Sequence, residues 1–210
     1  MSGKLKPPHS IGRVDGSERF EGMDATVADF WRWAFSDLRM NNVRGILAEF
    51  LVSKAVGATG APKEEWANFD VQTPDGIRIE VKASAYWQSW PQRGPSKIVF
   101  SGLTGRSWED DGSYSAGRKV RADVFVFALQ RCTNPTLYDP LDIDQWEFWA
   151  IPEGVIRDAE LRSVGLGFLK RTGVSPVSWA DLREKIVAMH AMERCRHRRA
   201  GRRDEIGELP

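Results

Sequence analysis

The chain has 210 residues, 41% hydrophobic and 28% charged, with a net charge of +1. It is long enough for one sizeable core, and its near-neutral balance argues against an indiscriminate polyanion binder. No apolar run approaches membrane-spanning length and no secretory apolar segment opens the chain, so a membrane partner is not expected and the cytoplasm is. Cys132 and Cys195 form neither a disulfide framework nor a zinc pattern.

Residues 1–20 are polar and rich in glycine and proline, which predicts disorder, with one folded domain expected over 21–192 and a basic tail over 193–210. Met23 to Leu38 reads as a helix, with Val27, Phe30, Trp31 and Ala34 as its apolar stripe. A second, strongly apolar helix follows, opened by an Asn42 cap and closed by Gly57, with Gly45 letting it approach a sheet. Glu49 is its only acid. One turn away lie Gly45, Ile46, Val52 and Ser53, so Glu49 has no cation partner within the helix. It is then either a buried acid satisfied by a backbone amide or indole N–H, or a group aimed at something outside the helix.

Asp70-Val-Gln-Thr-Pro-Asp-Gly-Ile-Arg-Ile-Glu-Val-Lys82 predicts a hairpin. Pro74 sets the φ of a type I turn and Gly76 supplies the left-handed residue that closes a three-residue loop. That turn pairs Thr73 with Ile77, Val71 with Ile79 and Asp70 with Glu80. Alternation then gives one face to Phe69, Val71, Ile77, Ile79 and Val81, and the other to Asp70, Gln72, Arg78, Glu80 and Lys82. Opposed carboxylates with Cβ atoms about 5 Å apart repel, so a cation belongs between them. Either a divalent ion or the side chains of Arg78 and Lys82 would serve.

Strands are expected over 66–73, 77–85, 97–103, 122–130 and 146–151. Ala122 to Leu129 is almost continuously apolar and belongs in the sheet centre. A capped helix begins near Ser178, with Trp179, Leu182, Ile186 and Met189 as its core stripe. The order predicts an α/β fold with a central mixed sheet flanked by helices. Between the third and fourth strands, Thr104 to Arg121 reads either as disordered or as functional, and its Arg106, Arg118, Lys119 and Arg121 carry a charge suited to tracking a nucleic-acid backbone. Nine tryptophans are many for this length. Trp87, Trp90 and Trp108 would suit base stacking, but core or interface packing is the favoured reading. Arg194 to Arg203 contains no acid and reads either as a phosphate-contacting segment or as a solubilising tail, and His190, Cys195 and His197 within or beside it make a weak case for zinc.

The order of helix glutamate (Gly45-x3-Glu49), strand Asp70 and Glu80-Val81-Lys82 resembles the PD-(D/E)XK nuclease superfamily, the restriction-endonuclease-like fold. The run Glu80 to Trp90, with Asp139 to Phe148 downstream, is similar to prokaryotic members, and the resemblance covers residues 23–190. It departs in one place: Phe69, not proline, precedes Asp70. The literal Pro74-Asp75 pair lies at the hairpin tip, where Asp75 reads as turn chemistry and as a minor rival ligand.

The resemblance implies a catalytic set of Glu49, Asp70, Glu80 and Lys82. Mg²⁺, or Mn²⁺ in its place, would be held by Asp70, Glu80 and the Val81 carbonyl, with Glu49 joining directly or through water. Ser84 and Gln88 follow closely enough to support the site or orient substrate, or else mark a plain strand-to-loop transition. The implied activity is phosphodiester hydrolysis in DNA, most simply endonucleolytic. The alternatives are a catalytically silent nucleic-acid-binding or complex-forming module of the same fold, and a nuclease acting on RNA. Cutting both strands of a duplex would call for a homodimer.

Overall fold

The computed structural model describes residues 13–58, 63, 68–103 and 122–206, the last ten of them as backbone only. The chain divides into two units, Met1–Leu38 and Arg39–Pro210.

In the first unit, helix α1 (Val27–Phe35) starts where Thr26 forms a capping box with Asp29. The Thr26 hydroxyl accepts from the Asp29 amide at 3.2 Å, and the Asp29 carboxylate accepts from the Thr26 amide at 2.9 Å. The cap shortens the helix from the span expected over Met23 to Leu38. The predicted stripe is not buried either: no α1 residue is, and Phe30 is 45% and Trp33 82% exposed. Periodicity identifies an apolar face without supplying what covers it.

The second unit begins with α2 (Asn41–Val56), closed by Gly57 in the left-handed conformation at φ 67°. The expected Asn42 cap is corrected. Met40 holds the cap position without a side-chain bond, Asn42 lies in the first turn, and the Asn41 side-chain Oδ1 accepts from the Arg44 guanidinium at 3.0 Å. Gly45 does not mark a close approach, because a Cβ there would meet nothing within 4 Å.

After α2 come β1 (Val71–Gln72), β2 (Arg78–Ala85), β3 (Val99–Ser101), β4 (Val124–Gln130), a 3₁₀ turn (Ile143–Gln145) and β5 (Trp146–Pro152). The chain then forms α3 (Glu153–Asp158), β6 (Ser163–Gly165), α4 (Leu166–Arg171) and α5 (Leu182–Ile206). The main sheet has the order β1-β2-β4-β5, with β2 and β4 parallel and the outer pairings antiparallel. This is the mixed α/β sheet that the element order predicts. Every residue of β4 is buried, as the apolar run Val124 to Leu129 requires, and the buried Gln130 side chain donates to the Gln145 side-chain oxygen at 2.6 Å.

Strand parity divides two cores. Val124, Val126 and Ala128 pack with Ile79, Val81, the α2 residues Ala48, Val52 and Val56, and the α5 residues Leu182 and Ile186. Phe125, Phe127 and Leu129 pack on the other face with Phe100, Ile156, Val164 and Leu169. The expected α5 stripe is therefore correct at Leu182, Ile186 and Met189. Trp179 donates its indole N–H to the Leu51 carbonyl at 2.8 Å, tying the approach to α5 onto α2.

Three expectations change. The strand over 97–103 shortens to β3 and pairs with β6 as a separate two-stranded ribbon. The strand over 66–73 contributes only Val71–Gln72 to the ladder, and residues 66–67 lie outside the described ones. The segment expected as a tail carries α5 on to Ile206. Residues 104–121, with Arg106, Trp108, Arg118, Lys119 and Arg121, also lie outside the described residues. Among the described residues no helix is long and apolar enough to cross a membrane.

The hairpin turn forms as its residues dictate. The Thr73 amide donates to the Ile77 carbonyl at 3.0 Å, the Gly76 amide to the Thr73 carbonyl at 2.9 Å, and Gly76 has φ 92°. A Cβ at Gly76 would meet no atom within 4 Å, so Gly76→Ala isolates the backbone penalty. We expect a loss of about 1 kcal/mol in a urea titration, with the register unchanged.

Candidate active site

The ladder between β1 and β2 keeps the predicted register at Val71 with Ile79 and Gln72 with Arg78, and stops there. Asp70 does not pair with Glu80, as simple alternation requires. Its amide donates to the Ile79 carbonyl at 3.0 Å, so Asp70 and Val71 both face Ile79, as in a β-bulge. The offset aims the Asp70 carboxylate along the edge of β2, where Oδ2 accepts the Val81 amide at 2.8 Å. Strand parity turns the Val81 carbonyl to that same edge, beyond the end of β1.

Three acidic side chains gather at this edge. Lys63 donates to Glu49 Oε2, and its Nζ lies 3.7 Å from Asp70 Oδ1. Lys82 Nζ donates to Glu80 Oε1 at 2.7 Å along one face of β2. The carboxylates are well shielded, with 16% of the Glu49 side chain exposed, 20% of Asp70 and 23% of Glu80. The cluster therefore draws on α2, the entry to β1, and β2. Lys63 is the member that sequence reading misses, since it belongs to neither the hairpin nor the helix and no spacing marks it.

Electrostatics tie the group together. Burial raises the Glu49 carboxyl above the ordinary glutamate range, and the Asp70 charge raises it further; Lys63 and Lys82 pull it down without cancelling the effect. Glu80 is raised for the same reasons, burial first and Asp70 second, against Lys82 and Lys63. Folding is thus assisted below the ordinary glutamate value, where both states hold the proton, and that assistance is lost as pH rises through the raised folded values. Glu49→Gln mimics the protonated form. Its melting temperature relative to wild type is expected to become more positive from acid pH toward neutrality; thermal melts across that range check this, and a flat difference counts against the shift.

The all-surface salt-bridge alternative for the hairpin fails at Arg78. Its guanidinium clasps Asp123, NH2 to Oδ1 at 2.7 Å and Nε to Oδ2 at 3.1 Å, and its amide also donates to Oδ2. Burial raises the Asp123 carboxyl, but the Arg78 hydrogen bonds and charge outweigh it and hold it below the usual carboxylate range. Arg78 thus secures the start of β2 to the entry of β4. The other half of that alternative, Lys82 on Glu80, is formed.

Ser84 is buried in β2. Gln88 belongs to the loop after β2: its amide nitrogen donates to the Ala85 carbonyl at 3.0 Å and its oxygen accepts from Arg44 at 3.0 Å. Arg44, 3% exposed, also donates to the Trp87 carbonyl at 3.1 Å, so it braces this loop against α2. Asp75 sits exposed in the hairpin turn.

A hard divalent cation fits the donor chemistry of Glu49, Asp70 and Glu80, whose carboxylates are hard oxygen donors. As positioned, the acids are spread around Lys63, and among the described residues no three acidic, imidazole or thiol groups stand close enough to hold an ion. The charge count still favours one. Glu49, Asp70 and Glu80 carry three negative charges against the two positive charges of Lys63 and Lys82. No family model matches this chain, and no curated protein sequence matches it.

Proposed function

We propose that this chain is a Mg²⁺-dependent phosphodiesterase of restriction-endonuclease-like fold, a nuclease acting on DNA and most simply an endonuclease, with Mn²⁺ able to replace Mg²⁺. The observation that supports this reading is the gathering of Glu49, Asp70, Glu80 and Lys82 at the edge of β2, from α2, the entry to β1 and β2.

Asp70, Glu80 and the Val81 carbonyl would hold the cation, with Glu49 joining directly or through water. When bound, it supplies positive charge to the phosphate and lowers the pKa of a water. Lys82 would orient the attacking water and offset charge on the scissile phosphate, its amine held on the correct face by Glu80. Asp70 does double duty, because its Oδ2 also holds the Val81 backbone in place. One such group cuts one strand, so duplex cleavage would require a second copy of the chain.

The test is incubation with supercoiled plasmid, linear duplex, single-stranded DNA and RNA in Mg²⁺ or Mn²⁺, beside Lys82→Ala. We expect cleavage of DNA that the substitution abolishes. Cleavage of RNA alone would move the substrate, and absence of any metal-dependent cleavage would overturn the enzyme reading. Lys63 lying among the acids favours a second reading, a silent nucleic-acid-binding or complex-forming module. Such a module would bind Mn²⁺ no better than its Glu80→Ala variant.

A further inference from the structure

We propose that Lys63 is an internal competitor for the divalent cation: its ammonium bridges Glu49 and Asp70 and withdraws when an ion enters. This rests on the reading of the acidic cluster as a metal site.

Of the two amines in the cluster, only Lys63 is built to leave. Lys82 lies within β2, its backbone in register with Phe127 of β4 and its side chain 22% exposed. Lys63 lies outside every helix and strand and its side chain is 41% exposed, so withdrawal costs no ladder hydrogen bond and leads directly to water. It also contacts the two acids that must turn inward, Glu49 and Asp70, while Glu80 is held by Lys82. A lysine head is a compact, strongly hydrated charge on a flexible stem, suited to exchange with a hydrated ion.

Charge balance gives the exchange its direction. With Lys63 in place the three carboxylates face two positive charges. With a divalent ion in its stead they face Lys82 and the ion, three charges against three. The incoming ion neutralises what the lysine leaves over. The lysine keeps the acids from repelling one another until the ion arrives, and it weakens metal binding by occupying the same space.

The experiment is calorimetric titration of the full chain with Mn²⁺, comparing wild type, Lys63→Met, Lys63→Arg and Glu80→Gln. Lys63→Met should bind Mn²⁺ about tenfold more tightly, since the competing charge is gone. Lys63→Arg should bind as wild type does, and Glu80→Gln should lose binding. Equal or weaker binding by Lys63→Met, with Glu80→Gln still defective, overturns the competition and leaves the metal site standing. Equal tightening in both Lys63 variants overturns charge as the cause. Absence of Mn²⁺ binding throughout, or binding indifferent to Glu80→Gln, overturns both the metal site and the competitor.

Discussion

Asp70→Asn is expected to leave the fold intact and to lower metal-dependent DNA cleavage by about three orders of magnitude. Asparagine keeps an oxygen that can accept the Val81 amide, so the anchor of the hairpin survives. What disappears is the negative charge next to Lys63, which raises both Glu49 and Glu80. The two glutamates should then titrate closer to the ordinary range, with their upward shift reduced though burial remains. Cleavage kinetics on plasmid and carboxyl titration by NMR make independent readings of the same change. Activity within about tenfold of wild type would reduce Asp70 to a backbone anchor, because loss of a charge acting on the reacting phosphate costs more than that.

The largest loss of stability is expected from Phe127→Ala, about 3–5 kcal/mol in a urea titration. Phe127 lies at the centre of β4 with no exposure. Its ring stacks on Phe125 at 5.9 Å and meets the Phe100 ring edge-on at 5.2 Å, joining the main sheet to the β3–β6 ribbon. A cavity there has little means of collapse, since β4 is clamped between β2 and β5. Phe127 is also in register with Lys82, so cleavage should fall with stability in this variant. A cost below about 1 kcal/mol would mean that the second core is far more plastic than its packing indicates.

The hairpin and the acidic cluster differ in how far local chemistry specifies them. Pro74 and Gly76 determine the turn, the turn determines the register at Val71 and Ile79, and alternation then separates the buried face from the polar one. Every one of these steps spans fewer than a dozen residues. The offset at Asp70 breaks the chain of reasoning, since a bulge depends on where the ladder ends and not on which residue types compose it. The result is that Asp70 joins the cluster by holding the Val81 amide, not by opposing Glu80.

Burial follows the same division. The unbroken apolar run of Val124 to Leu129 can satisfy itself only between two strands, so a central position was legible from composition alone. The α1 stripe has equally clear periodicity, yet none of its residues is buried. A helix carries its own period, whereas its cover must come from elsewhere. Gly45 shows the converse, a glycine suggesting close contact where the structure leaves open space.

The amino-acid order by itself determined a mixed α/β sheet, the turn and register of the hairpin, the buried centre of the sheet and the acids worth watching, because each rests on local periodicity or on the geometry of neighbouring residues. Only the tertiary structure decided that Asp70 is offset onto Val81, that Arg78 serves Asp123, and that Lys63 enters the carboxylate group. Those three are contacts between segments distant in sequence or freed from the ladder, and charge seeks the nearest partner in space, which no spacing along the chain encodes.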